Sequence, residues 1–499
     1  MLHARLKAAR ASEALPRATH TVTMRAMDAP ARTQQDRLAD QLDSLPYTRK
    51  HNRVLFGSGL GWALDAMDVG LISFIIAALG QYWHLEKGEL GLITSIGFVG
   101  MAIGATLGGL LADRFGRRQV FAITLLIYGL ATGASALAGG IAMLLVLRFF
   151  VGLGLGAELP VASTYVSEFA PARIRGRLIV ILEAFWAVGW TASALIGYFI
   201  VPASEHGWRW AFALGAIPAV YALIVRWGLP ESPRWLAGRG RHDEAAKIVA
   251  EFAASPALGS LASTRGSRPE AAGTVPEAAL PEPGEGSEPH HTDTPLATTA
   301  GKRLAALWSP EFRVRTASIW AVWFCVNFAY YGAFIWIPSI LVDAGFPLVR
   351  SFAFTLIITL AQLPGYAVAA WLIEVWGRKL TLSVFLAGSA ASAIAFGTVH
   401  AETAIIVSGM ALSFFNLGAW GALYAVTPEI YPTSLRATGA GWAAGIGRIA
   451  SIIAPLLVPV LLLAGGAGLT FSVFAAFFVV AALAAWGLVD RRGLALDDR

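Results

Sequence analysis

The chain has 499 residues, of which 56% are hydrophobic and only 14% charged, against roughly 25% charged in soluble domains, so an ordinary soluble fold is excluded and a bilayer is implied. Its net charge of +6 makes no case for nucleic acid and is accounted for below as a topology signal. The single cysteine, Cys325, lies in an apolar run, which excludes an intrachain disulfide and a thiolate metal site and leaves packing as its role.

Residues 1–53 form an N-terminal segment without the apolar core of a signal peptide, so the first spanning helix is expected to act as the insertion signal. Residues 35–46 read as a short amphipathic helix, with Leu38, Leu42 and Leu45 on one face, suited to lying on the inner leaflet. Apolar runs of about 20 residues follow, each able to cross a hydrocarbon core about 30 Å thick. They lie at 54–82, 88–112, 119–138, 141–167, 176–202 and 207–230, then at 314–342, 348–375, 379–398, 402–428, 434–463 and 467–489. Their length and lack of alternation exclude a barrel. The expected fold is an all-α membrane protein with twelve transmembrane helices in two six-helix, pseudo-symmetric bundles, 54–230 and 314–489. A cytoplasmic linker, 231–313, separates them, and 490–499 is a cytoplasmic tail. Residues 253–301 are rich in Pro, Gly, Ala, Ser and Glu, a composition that buries no core and predicts disorder.

Charged residues inside spans are costly and usually functional. Asp65 and Asp68 sit mid-span in the first helix, three residues apart and so about 60° apart on one face. Two such carboxylates either take up a proton or a cationic group, or serve as capped or salt-bridged residues that fix packing. Glu158 in the fourth span and Glu183 in the fifth are further candidates for proton coupling. Arg148 and Arg448 are the embedded cations, each requiring a carboxylate or carbonyl partner. Arg448 fits either a substrate carboxylate or a structural pair. The glycines at 152, 154 and 156 lie in a span, not after a strand, so they serve close helix packing rather than a dinucleotide.

Three stripes combine aromatic and polar side chains. Glu183, Trp186 and Trp190 fall at i, i+3 and i+7 on the fifth span. Trp323, Asn327 and Tyr330 fall at i, i+4 and i+7 on the seventh, with Tyr331 beside them. Asn416, Trp420 and Tyr424 fall at i, i+4 and i+8 on the tenth. Singly, each aromatic suits lipid or core as well as a pocket. Together the stripes suit a cavity for a flat, partly apolar ligand, because buried indole N–H and phenol O–H groups need partners.

One loop is written twice. Asp113-Arg114-Phe115-Gly116-Arg117-Arg118 recurs 261 residues later as Glu374-Val375-Trp376-Gly377-Arg378-Lys379, and Glu168, Pro171 and Arg175 recur at the same offset as Glu429, Pro432 and Arg436. Two halves of like topology, with a site where they meet, is transporter architecture. With the N-terminus inside, the inner loops hold nine Lys and Arg residues (Arg114, Arg117, Arg118, Arg173, Arg175, Arg177, Arg378, Lys379 and Arg436), and the outer loops hold only Lys87, Arg209 and Arg350, so both termini are expected in the cytoplasm.

The stretch from Gly108 to Arg118 resembles the signature loop of the major facilitator superfamily, and Pro230-Glu231-Ser232-Pro233-Arg234 is similar to its sugar-porter and organic-ion branches. The resemblance covers nearly all of 47–490. It lacks the paired glutamines of sugar porters in the seventh span, where Tyr330-Tyr331-Gly332 stand, and the acidic motif after the twelfth. Leu64-Asp65-Ala66-Met67-Asp68-Val69-Gly70, Trp323-Phe324 and Trp420 resemble bacterial niacin transporters and the synaptic vesicle glycoprotein 2 branch. That resemblance implies a central site lined by Asp65, Asp68, Trp190, Trp323, Tyr330, Tyr331 and Trp420, with nicotinate or a similar aromatic carboxylate as substrate.

The expected protein is therefore a proton-coupled importer of a small aromatic acid in the inner membrane, a monomer without cofactor or metal, with the paired loops as a cytoplasmic gate. Proton-driven efflux and a non-transporting receptor remain as alternatives. An enzyme is not expected, since no catalytic constellation is present.

Overall fold

The computed structural model describes residues 38, 41–171, 174–258 and 300–488. The expectations for most of the N-terminal segment, for most of 253–301 and for the tail lie outside them. The first half holds α1 (Arg49–Tyr82), α2 (Lys87–Phe115), α3 (Arg117–Ser135), α4 (Ile141–Phe169), α5 (Arg175–Phe199), α6 (Gly207–Leu214) and α7 (Ile217–Gly228). Two linker helices follow, α8 (Pro233–Gly238) and α9 (His242–Ala253), then α10 (Ala300–Leu307). The second half holds α11 (Arg313–Asp343), α12 (Leu348–Leu360), α13 (Gln362–Trp376), α14 (Arg378–Thr398), α15 (Glu402–Val426) and α16 (Thr433–Ala485).

Among the described residues ten helices or helix pairs are long and apolar enough to cross a membrane; with α16 counted as two and the 19-residue α3 added, the arrangement is that of twelve spans. The pairs α6–α7 and α12–α13 each form one crossing, and α16 breaks into two where Gly465 and Gly466 leave helical geometry. Helices run somewhat past the apolar runs at several ends, because polar flanking residues at the ends continue the hydrogen-bond ladder.

In the first half α1 packs on α5, and α4 packs on α2 and α3. In the second, α11 and α14 pack on α16, and α15 packs on α13 and α14. The halves meet through α2 with α16, α1 with α11, and α5 with α12. The central helices α1 and α11 are buried along nearly all their length, and most other spans are buried on one side only. The glycine ladder of α4 is why α2 lies so close: a side chain at Gly152 would sit 1.9 Å from the Gly97 carbonyl, and one at Gly156 would sit 2.0 Å from that of Met101.

Both repeated loops turn on a glycine with positive φ, 104° at Gly116 and 90° at Gly377, a region open to glycine without strain. Each ends one span and starts the next without an intervening residue. The arginine after each glycine then pairs with the glutamate that closes the next-but-one span. Arg117 meets Glu168 at 3.1 Å, and Arg378 meets Glu429 at 3.0 Å. The duplication visible in the sequence is thus a duplicated ion pair.

The amphipathic stretch near 35–46 is placed differently from the expectation. Leu38, Leu42 and Leu45 pack against Trp235, Leu236, Ala237, Ala245 and Val249 of α8 and α9, so protein rather than lipid covers the apolar face. Asp43 holds it there by ion pairs with Arg175 and with Arg234, the latter at 2.7 Å. Helix α9 is also tied to the start of α1 by Lys50–Glu251 at 2.6 Å and by Phe252 edge-on to His51, and Phe252 stacks on Phe169 at the end of α4. We refer to this end of the molecule as the linker face.

Candidate functional site

The stripes on α5, α11 and α15 converge where the halves meet. The Tyr330 ring stands 5.7 Å from Trp190, 5.0 Å from Tyr331 and 5.0 Å from Trp420, centroid to centroid. Trp323 extends the cluster to Tyr424 at 5.1 Å, and Phe98 of α2 faces Tyr331 at 4.7 Å. These spacings lie within the range for edge-to-face and offset contacts. The indole of Trp186 donates to the Tyr330 hydroxyl at 3.2 Å, a bond that crosses between halves. Trp62 packs on Trp186 and faces Glu183.

Arg448 of α16 stands at this cluster, close to Tyr331 and Glu183. Its guanidinium reaches Met101 Sδ of α2 at 3.9 Å, and a thioether is a weak acceptor. A guanidinium beside Tyr331 and Glu183, with a thioether among its neighbours, has donors to spare for an incoming anion. Asn416, one turn before Trp420, is fully buried with neither amide atom hydrogen-bonded. Asn327 is occupied differently: it donates to the Trp323 carbonyl at 2.8 Å and accepts from Ser451 at 3.2 Å, binding α11 to α16.

Sequence reasoning missed Tyr366 of α13. Its buried hydroxyl has no hydrogen-bond partner, and it stands in the field of Glu183, Tyr330, Tyr331 and Tyr424. The available signal was Gln362 with Tyr366, two polar-tipped residues at i and i+4 in an apolar span.

Asp65 and Asp68 share a face of α1, but each has a separate partner set, and both turn toward α3 and α4. Asp68 pairs with Arg148 at 3.3 Å and accepts from Thr132 at 2.6 Å, and Arg148 also donates to Thr132 at 3.2 Å. The Phe212 ring lies 5.0 Å from the Arg148 guanidinium. Asp65 instead faces Glu158 and the hydroxyl of Tyr128.

On the linker face, Asp113 is exposed and bridges to Arg117 at 2.7 Å, and its carbonyl accepts from Trp235 and Arg239. Arg114 lies over Phe115, and the backbone N–H of Arg118 donates to Glu231 at 3.1 Å. Glu374, at the offset of Asp113, is exposed, and Arg436 is half-buried at the start of α16. The named contacts that join the halves near the opposite face are Lys87–Asp343 at 2.8 Å, Ser95 donating to the Ile452 carbonyl at 3.0 Å, and Phe74 against Phe352 at 5.1 Å.

Comparison with known proteins agrees with this architecture. Residues 61–490 match the family described as sugar (and other) transporter. The niacin transporter NiaP of Acinetobacter baylyi is 46% identical over 424 residues, spanning 84% of this chain and 89% of that one. The synaptic vesicle 2-related protein of Xenopus laevis is 29% identical over 489 residues, spanning 92% and 82%. The xylose transporter XylE from E. coli, in a partially occluded inward-open conformation, superposes with a TM-score of 0.68 at 20% identity, over 90% of this chain and all of that one, a likeness of fold. With its duplicated six-helix halves and a match across 61–490, this chain belongs to the sugar (and other) transporter family of the major facilitator superfamily and is a multi-pass membrane transporter.

Proposed function

We propose that the chain imports nicotinate, or a closely similar small aromatic carboxylate, with protons. The observation that carries this reading is Arg448 on the wall of an aromatic cluster drawn from both halves. Guanidinium binds a carboxylate in a bidentate way, and flat rings stack on Trp and Tyr. Identity of 46% with a niacin transporter supports the same substrate class.

In this reading Trp190, Trp323, Tyr330 and Trp420 hold the ring, Arg448 takes the carboxylate, and Glu183, Tyr366 and Asn416 shape the polar edge. The two halves rock about this site by alternating access. The linker face is cytoplasmic, with both termini on that side of the inner membrane, as the distribution of basic loop residues supports. The contacts near the opposite face then close the outward route, and the inward-facing arrangement is the one described here. The duplicated Arg117–Glu168 and Arg378–Glu429 pairs stiffen the gate within each half, and the exposed Asp113, beside Arg117, and the exposed Glu374 meet the other half when the gate closes. The protein works as a monomer.

The test is uptake of labelled nicotinate into liposomes holding the purified chain, under an imposed proton gradient. Accumulation driven by inward proton flow, competed by benzoate-type acids and lost in Arg448→Gln, is the expected result. Accumulation only against inward proton flow would replace import by efflux. Ligand binding without flux would make the chain a receptor on this scaffold.

A further inference from the structure

The polar groups inside the first half fall into two sets. Asp68, Thr132 and Arg148 satisfy one another by an ion pair and two hydrogen bonds. Asp65 and Glu158 form the other set. They are 2% and 0% exposed, and none of their four carboxylate oxygens has a hydrogen-bond partner. The Tyr128 hydroxyl, fully buried and also without a partner, is turned to the same two carboxylates.

The helix packing is built to admit this set. Gly61 lies one turn before Asp65 on α1, and a side chain there would sit 2.8 Å from Glu158 Oε1 and 2.6 Å from the Phe121 ring. The glycine therefore leaves the notch that lets Glu158 of α4 reach α1. The other titratable groups facing the set are Asp68 from α1 and Tyr221 from α7. Arg148, the nearby cation of α4, is engaged by Asp68.

Two carboxylates in contact in a dry interior, with no cation between them, cannot both remain ionised. We propose that Asp65, Glu158 and Tyr128 form a one-proton site, separate from the Asp68–Arg148 ion pair and from the aromatic cluster. One carboxyl keeps the proton and donates its O–H to the other, and the Tyr128 hydroxyl donates to the same anion. Loss of the proton leaves two anions face to face, which forces α1 and α4 apart or admits water. That is how the state of the site bears on the arrangement of the half. Its part in transport rests on the proton-coupled import proposed above; proton binding itself does not.

Infrared difference spectroscopy of the purified full chain in liposomes, without substrate, tests the site through the carbonyl stretch of protonated carboxyl groups. The expected result is a deuterium-sensitive band that moves in Asp65→Asn and in Glu158→Gln, disappears in the double variant, and is unchanged in Glu251→Gln on the linker face. Should one single variant fail to fold, the other carries the comparison. A band unchanged in the single variants, or absent from the native chain, would overturn the proposal. So would a band removed by sodium at constant pH, which would make this a metal-cation site. Uptake separates the two layers. If the band behaves as expected and accumulation falls to the equilibrium ratio while exchange persists, both stand. If the band behaves as expected and accumulation is unchanged, the proton site stands and its coupling role falls.

Discussion

The two halves keep the same loops and differ in most of the polar and aromatic residues between them. At the offset of 261, Gly116, Arg117 and Glu168 recur as Gly377, Arg378 and Glu429, and they rebuild the same turn and the same ion pair. Inside the bundles the same offset pairs unlike residues. Asp65, Asp68, Arg148 and Glu158 of the first half meet Val326, Ala329, Gly409 and Ala419 of the second. Conversely, Tyr330, Trp420 and Arg448 of the second meet Val69, Leu159 and Ala187 of the first. Some positions are kept: Trp62 and Trp323 are an indole in both halves, Thr94 and Thr355 a threonine, and Gly104 and Gly365 a glycine. The first half holds the buried ionic groups, and the second holds most of the rings. Topology was duplicated, and the interior was then divided between two kinds of chemistry.

The largest expected effect tests the ionic half. Arg148→Met leaves Asp68 buried with Thr132 alone, and removing one member of a buried pair costs about 3–5 kcal/mol. Thermal unfolding of the purified chain should show a clear loss of stability. Unchanged melting in Arg148→Met would mean that the pair does not hold α1 to α4.

The aromatic half should respond in binding. Trp420→Ala and Tyr330→Ala each remove buried ring contacts, so nicotinate affinity should fall by at least about tenfold, or 1.4 kcal/mol. Phe478→Ala, in the packing of α16, is the control for general loosening. If the two variants bind like that control, the rings are packing and the ligand lies elsewhere.

A smaller effect crosses the boundary between the halves. Tyr330→Phe keeps the ring and removes the acceptor for Trp186, a hydrogen bond worth about 1 kcal/mol. Stacking predicts near-normal nicotinate binding with a shifted equilibrium between the inward- and outward-facing forms, read by accessibility labelling. A loss of affinity as large as in Tyr330→Ala would assign the hydroxyl directly to the carboxylate.

The smallest effect tests the shared loops. Arg117 is 12% exposed and also bridges Asp113, whereas Arg378 is 29% exposed. Arg117→Ala should therefore destabilise more than Arg378→Ala, by about 0.5–1 kcal/mol, with exposure screening both values. Equal losses would show that Asp113 adds nothing to the first copy.

The loops diverge in one further respect. Arg175 is held by Asp43 of the N-terminal segment, whereas in the second half the segment packed on α16 is α10, and the described residues show no ion pair at the counterpart Arg436. The tether therefore belongs to the linker face of the first half, where α8, α9 and the start of α1 are joined.

The helical membrane fold and its duplication were legible in the sequence because each depends on local quantities: apolar length and glycine at a turn. The convergence of Trp190, Tyr330 and Trp420 was legible in part, since helical spacing fixes which side chains on one span share a face. What spacing cannot carry is the partner on another helix. Asp65 and Asp68 share a face, yet the crossing of α1 with α3 and α4 gives one to Arg148 and the other to Glu158. Tyr366 and Tyr128 entered the same way, each from a neighbouring helix whose own sequence does not name the partner it meets. The amphipathic N-terminal stretch turned onto α8 and α9, because a leucine face buries equally well against lipid or protein and only the fold decides which is nearer. Sequence by itself determined a helical membrane fold and that it was built twice; tertiary packing decided which buried charges neutralise one another, because those energies depend on distances across helices that no single helix encodes.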